Sequence, residues 1–298
     1  MSNLPTRPLR LVATTRCSAR CAHCHHEGVT APMADLDADR FCQEVRQGFF
    51  RHFAQVTVTG GEPLLHPEIR KIISHVVSST QAPVVVNTNG LADADRFAQV
   101  LDLGLAAVHV SMHSSHPETN AEVFGVPYDQ ARVLRNARAI LDSGTELCIN
   151  RVILAGINSV PAEVVDFTER WSGGVGARVQ IFPDLYENDV VNERVFEDIL
   201  AEVRCRGYQY KHHGRHHVVS HSGRGSFTWL SPCTPEAMDP PDYAAAAIFM
   251  TPRMALKRML SSEEWVWEPG FNNTLPLALC CSRPSRPGRD FNSVRPTS

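Results

Sequence analysis

No apolar run in the chain approaches the roughly 20 residues that a membrane-spanning helix needs. The first residues, MSNLPTRPLRLVATTRC, hold no apolar core of signal-peptide length. Neither sign of charge dominates: 29 Lys and Arg stand against 32 Asp and Glu, a formal net charge of −3. Bulk nucleic-acid binders carry a basic face, so neither a nucleic-acid nor a membrane partner is expected. The chain is also not polar enough to stay disordered, with 43% hydrophobic and 20% charged residues. These absences lead to a cytoplasmic protein, in which thiols stay reduced and a disulfide framework does not form. At 298 residues the length suits one large domain or two small ones.

Nine cysteines then need another account: Cys17, Cys21, Cys24, Cys42, Cys148, Cys205, Cys233, Cys280 and Cys281. The first three fall within eight residues, spaced C-x3-C-x2-C. Three thiolates on one short loop suit a soft metal centre. Zinc would take a fourth ligand, for which His25 and His26 are candidates. An iron–sulfur cluster held by three thiolates would keep one iron open to a ligand. Spacing alone leaves both open.

Apolar strand-like runs alternate with longer amphipathic stretches through the first two thirds. Strands are expected at Leu9–Thr14, Gln55–Val58, Pro83–Val86, Ala106–Met112, Glu146–Leu154 and Arg178–Phe182. Helices are expected near 36–52, entered through Asp35 or Asp37, and near Pro67–Val77, Asp93–Leu103, Asp129–Leu141, Pro161–Trp171 and Glu193–Val203. The result is an α/β chain of six βα units, a partial (β/α)6 TIM-like barrel over residues 1–205. Functional groups then belong at the carboxyl ends of the strands. Residues 206–281 read as a mixed C-terminal extension closing the barrel, with β-type runs at His216–Ser220, Ser226–Leu230 and Ala247–Thr251. Residues 282–298, polar and rich in Pro and Arg, read as a flexible tail.

The cysteine loop follows the first strand, and Thr59-Gly60-Gly61-Glu62-Pro63 follows the second. Glycines without side chains let a backbone approach a ligand closely. Together the two motifs resemble the radical S-adenosylmethionine (radical SAM) superfamily over residues 9 to about 185. The resemblance implies a [4Fe–4S] cluster on Cys17, Cys21 and Cys24. It implies an open iron that binds S-adenosylmethionine, and reductive cleavage to a 5′-deoxyadenosyl radical that abstracts substrate hydrogen. It also implies a flavodoxin or ferredoxin reductant. Gly60, Gly61, Glu62 and Pro63 resemble the motif at the methionyl end of the cofactor, and His23 the residue whose backbone reaches adenine. Thr88 and Asn89 lie in Asn87-Thr88-Asn89-Gly90, which is similar to the family's T-x-N-G turn. Ser111, Asn150 and Pro183 match cofactor-facing positions on the fourth, fifth and sixth strands.

Within the superfamily the chain resembles the GTP cyclase of molybdenum-cofactor biosynthesis and its relatives with extra clusters, of the SPASM or twitch type. TGGEPLLHPEI and Gly156-Ile157-Asn158 carry that likeness. The cyclase family has Arg where this chain has Thr57, Thr at Asn87 and Lys at Cys148. Without those cations a triphosphate is hard to bind, so GTP cyclisation is not expected. The extension has no C-x2-C, and Met259 stands near the place of a cluster cysteine. An auxiliary cluster is therefore not expected, the alternative being one on Cys233 with Cys280 or Cys281. No cobalamin domain precedes the first strand, which disfavours cobalamin-dependent methyl transfer.

Cys148 lies two residues from Asn150 and shares its face. It is a candidate pocket residue or hydrogen-atom donor. His113 and Asp184, with Arg151 and Arg178, are candidates for proton transfer or for binding a polar substrate. The segment 211–221 holds five of the 14 histidines and reads as a polar strand or hairpin. The expected substrate is a small molecule, a peptide being possible, and the expected chemistry redox-neutral: epimerisation, rearrangement, dehydration or carbon–carbon bond formation. The competing reading is a non-enzymatic zinc module.

Overall fold

The computed structural model describes residues 7–24, 33–213, 216–230, 248–258 and 264–273. Cys233, Cys280, Cys281, His25, His26, Met259 and the tail 282–298 lie outside the described residues. Six parallel strands lie in chain order: β1 (Pro8–Thr14), β2 (Gln55–Gly60), β3 (Val84–Thr88), β4 (Ala107–Ser111), β5 (Glu146–Ile153) and β6 (Arg178–Pro183). Crossovers between parallel neighbours are right-handed, which puts all the helices on one face and rolls the sheet into a partial (β/α)6 barrel. The helices are α1 (Ala38–Glu44), α2 (Gln47–Phe50), α3 (Ile69–Ser79), α4 (Ala94–Leu101), α5 (Pro117–Phe124), α6 (Gln130–Asp142), α7 (Pro161–Thr168) and α8 (Asp189–Cys205).

The extension adds strands to both edges of the same sheet. After β6 come β9 (Gly225–Leu230), parallel to it, then β8 (His216–His221) and β7 (Gln209–His213), antiparallel. On the other side β10 (Ile248–Met250) runs parallel to β1, followed by antiparallel β11 (Ala255–Arg258) and β12 (Glu264–Val266). Among the described residues the sheet is open, with β7 and β12 at its edges.

Strand alternation sorts the side chains. Leu9, Leu11, Val56, Val58, Val84, Val86, Val108, Val110, Leu147, Ile149, Val179 and Ile181 pack with the helices in one buried core. The intervening residues, among them Thr57, Asn87, His109, Ser111, Cys148, Asn150 and Gln180, line the inner face.

Three expectations about helices change. The helix expected near 36–52 is two, because Val45 and Arg46 are extended. Asn272, from the extension, holds that break: its Oδ1 accepts from Arg46 N at 2.8 Å and its Nδ2 donates to Glu44 O at 3.0 Å. The helix expected to reach Trp171 ends as α-helix at Thr168 and widens into a π-helical turn over Glu169–Gly174. There Ser172 Oγ accepts from Ser226 N on β9 at 2.9 Å. Finally, α5 has no counterpart in the sequence reading, and it supports the cysteine loop.

Candidate active site

The cysteine loop leaves β1 and crosses the C-terminal end of α5. Helix ends carry carbonyls without an intrahelical partner. Here Phe124 O accepts from Arg20 N at 2.8 Å, and Val123 O from Ala22 N at 3.0 Å. Gly125 ends the helix in the left-handed region (φ 62°), and a Cβ there would stand 2.5 Å from Arg20 O. On the other side Gly61 N donates to Thr14 O at 2.8 Å and Glu62 N to Arg16 O at 2.7 Å. Side chains on Gly60 or Gly61 would overlap the carbonyls of Thr14 and Arg16. These glycines thus admit the chain's own loop, a role beyond the ligand approach read from sequence.

The three thiols are close to one another. Burial, and then the charges of Cys24 and Cys17, push the Cys21 thiol up to about 12. Burial also raises Cys17, whose sulfur accepts from Ala19 N at 3.4 Å. Tyr186 OH donates to Cys24 O at 3.0 Å, tying the loop to the segment after β6. Among the described residues no three His, Cys, Asp or Glu side chains converge as ligands of a single ion. A [4Fe–4S] cluster instead takes its thiolates on separate irons. Three neighbouring thiols on a loop braced from both sides fit that group.

Glu62 is buried and receives three hydrogen bonds. Its Oε1 accepts from Leu64 N at 3.1 Å and Thr88 Oγ1 at 2.8 Å, and its Oε2 from Asn89 N at 2.7 Å. Burial raises its carboxyl to about 7, against the lowering effect of those bonds. Asn89 Nδ2 in turn donates to Ser18 Oγ at 3.1 Å. Glu62, Thr88 and Asn89 therefore join the turns after β2 and β3 to the cysteine loop. Pro63 opens a short 3-10 turn, Pro63–Leu65, next to them.

On the inner face Ser111 and Asn150 are register partners across β4 and β5, with Gln180 opposite Asn150 on β6. Cys148 shares that face, its sulfur 3.8 Å from Asn150 Oδ1. Burial pushes the Cys148 thiol up to about 12, so it keeps its hydrogen at neutral pH.

The remaining candidates sit elsewhere. His113 is buried beneath the cysteine loop, its ring between His23 (4.7 Å, edge-on) and Phe124 (4.9 Å). Its Nδ1 accepts from Val152 N at 3.0 Å, and burial, then His23 and Arg151, hold it well below the ordinary histidine range. Asp184 Oδ1 accepts from Tyr186 N at 3.0 Å in the turn that follows Pro183. Arg151 points into the helix layer rather than the barrel, correcting its reading as a substrate ligand. It meets Glu163 at 2.9 Å and lies over the Phe167 ring at 4.6 Å. Sequence reasoning missed His109, although it precedes Ser111 by two residues on β4 and period-two alternation puts both on one face.

The model of the radical SAM superfamily matches residues 11–168, more than half of the chain. A probable GTP 3′,8-cyclase of Pyrobaculum aerophilum is 32% identical over 60% of this chain and 62% of its own. The GTP 3′,8-cyclase of Rhodopseudomonas palustris is 27% identical over 66% of this chain and 58% of its own. The chain thus spans about three fifths of the length of these relatives. In fold it is similar to Streptococcus suis SuiB bound to S-adenosylmethionine, with a TM-score of 0.60 at 12% identity over 84% of this chain and 59% of that one. SuiB bound to precursor peptide SuiA gives the same TM-score, 0.60. The paired motifs, the barrel that brings them together and the match over its first five strands make this chain a member of the radical SAM superfamily, whose enzymes use a [4Fe–4S] cluster and S-adenosylmethionine.

Proposed function

We propose that the chain is a radical SAM enzyme that abstracts hydrogen from a small molecule in cofactor or natural-product biosynthesis and returns a redox-neutral product. The observation that carries this reading is a buried thiol, Cys148, on the same inner face as Ser111 and Asn150. In this reading Cys17, Cys21 and Cys24 hold the cluster. His23, Gly60, Gly61, Glu62, Pro63, Thr88, Asn89, Ser111, Asn150 and Pro183 surround S-adenosylmethionine. When bound, the two cofactors supply the abstraction of hydrogen from carbon. The protein positions the substrate against them and excludes water. Cys148 then returns a hydrogen atom: its S–H bond breaks and a C–H bond forms. The sulfur-centred radical regains the thiol by taking one electron from a reductant of the flavodoxin or ferredoxin class and one proton from solvent. Epimerisation has this balance.

GTP is not the substrate in this reading, although the curated relatives are named for its cyclisation. Thr57 and Cys148 stand on the inner face where the resemblance places cations, and neither holds a phosphate as a cation does. The test is iron and sulfide per chain after anaerobic reconstitution, in wild type and in Cys17→Ala/Cys21→Ala/Cys24→Ala. We expect about four irons in wild type and almost none in the variant. About eight, with about four surviving the variant, points to an auxiliary cluster and a peptide substrate. Zinc without iron sinks the radical reading. Replacing Cys148 by Ala should preserve iron content and cofactor cleavage but abolish product turnover.

A further inference from the structure

The histidine-rich segment 211–221 has no part in the proposed chemistry. It spans the hairpin of β7 and β8, in which His212 is the register partner of His217 and His213 that of His216. Side chains alternate between faces along a strand, so the two pairs lie on opposite faces and Lys211 does not share the face of His212. The His212 and His217 rings meet across the strands, with centroids 4.3 Å apart and planes 21° from parallel. On the same face Tyr210 OH lies 2.8 Å from His217 Nδ1. Phe196 of α8 packs edge-on against the His217 ring at 4.8 Å. His217 is thus half-buried and held from two sides. His212 is exposed on β7, which is an edge strand among the described residues.

The spacing and the tautomer of this pair both suit a metal ion. Tetrahedral bonds of about 2.0–2.1 Å to zinc put two ligand nitrogens about 3.4 Å apart. Small side-chain rotations bring rings with centroids 4.3 Å apart to that spacing. A neutral His217 whose Nδ1–H donates to the Tyr210 oxygen carries its lone pair on Nε2, the tautomer that ligates. Burial first, and then the charges of His212 and His216, lower the basicity of His217, which favours the neutral ring a metal requires.

We propose that His212 and His217 form a two-histidine site for a divalent transition metal of the zinc, nickel or copper(II) class, with water in the remaining positions. Tyr210 is its positioning residue. Among the described residues no third His, Cys, Asp or Glu converges with the pair, so the site is open. An open site accepts an outside ligand, unlike a structural zinc site closed by four protein ligands. The hairpin site shares no residue with the cysteine loop and stands independently of the enzyme reading.

The test is equilibrium dialysis of the anaerobically reconstituted protein against zinc chloride, with zinc and iron counted per chain. We expect about one zinc per chain beside the cluster iron. His212→Phe and His217→Phe keep an aromatic ring in the stack and should bind zinc about tenfold more weakly or worse, and Tyr210→Phe about tenfold more weakly. His213→Gln/His216→Gln, in the same hairpin but on the other face, should bind as wild type does. Cys17→Ala/Cys21→Ala/Cys24→Ala should keep this zinc, which separates it from zinc held by the cysteines. Urea midpoints confirm that each variant folds. If wild type takes up no more zinc than His212→Phe/His217→Phe, if the His213→Gln/His216→Gln control loses as much, or if zinc is lost only with the cysteines, the site is wrong. Absence of iron from wild type refutes the enzyme reading alone, because the histidine variants are scored on zinc.

Discussion

At the scale of single residues, the site is a problem of matching donors to acceptors. Glu62 faces two N–H groups and one hydroxyl, all used as donors. A carboxylate accepts from all three, while an amide has one oxygen and one NH2. Above about pH 7, where Glu62 is ionised, Glu62→Gln therefore sets a donor against a donor and should cost about 1–3 kcal/mol in denaturant unfolding. Titration adds a second residue-scale prediction. The Glu62 carboxyl is raised in the folded state, so its stabilising contribution is full below the ordinary Glu range and is lost as pH rises through about 7. His109 runs the other way. With its folded value near 3 against the ordinary 6.5, the unfolded chain takes up a proton first, and stability falls as pH drops below about 6.5. His113, also lowered, acts in the same direction. Urea midpoints at about pH 7 and pH 5 should show less acid destabilisation in His109→Gln than in wild type; an equal loss would contradict this placement of His109. The motif residues were legible because their types are chemically restrictive. The partners of His113 and Arg151 were not, because burial beneath a loop or a helix leaves no mark in local spacing.

At the scale of elements, the cysteine loop depends on a helix that patterning did not reveal. With eight residues and few apolar positions, α5 has little periodicity to read. Yet its last carbonyls receive the loop's N–H groups, and Gly125 lets Arg20 approach. Gly125→Ala should therefore cost more than left-handed strain and should lower iron per chain after reconstitution. Gly144→Ala is the control, since Gly144 has the same hand (φ 78°) but nothing within 4 Å of its Cβ position. It should cost about 1 kcal/mol and leave the iron content unchanged. Equal iron in both variants would remove α5 from the support of the loop. The six strands, by contrast, were legible to within a few residues, because apolar runs bounded by Gly, Pro and Asp report strand and turn chemistry directly.

At the scale of the whole molecule, the extension and the barrel are joined within one sheet, β9 bonding β6 and β10 bonding β1. Asn272 carries the same connection beyond the sheet, to the break between α1 and α2. Asn272→Ala removes both hydrogen bonds and leaves Arg46 N and Glu44 O without them. It should lower stability by about 1 kcal/mol or more, read as a shift of the urea midpoint. No shift would mean that the two helices break independently of the extension.

The amino-acid sequence by itself determined the superfamily, the order of βα units and the face shared by Cys148 and Asn150. Those properties follow from residue type, spacing and the period of two along a strand, all of which are local. Only the tertiary structure decided that Gly60 and Gly61 make room for the cysteine loop, that Arg151 turns to the helices, and that Asn87, His109, Cys148 and Arg178 form one row. Register between strands separated by whole crossovers is set by how the layers pack. Residues 22 to 39 positions apart in the chain become neighbours only when the sheet is assembled.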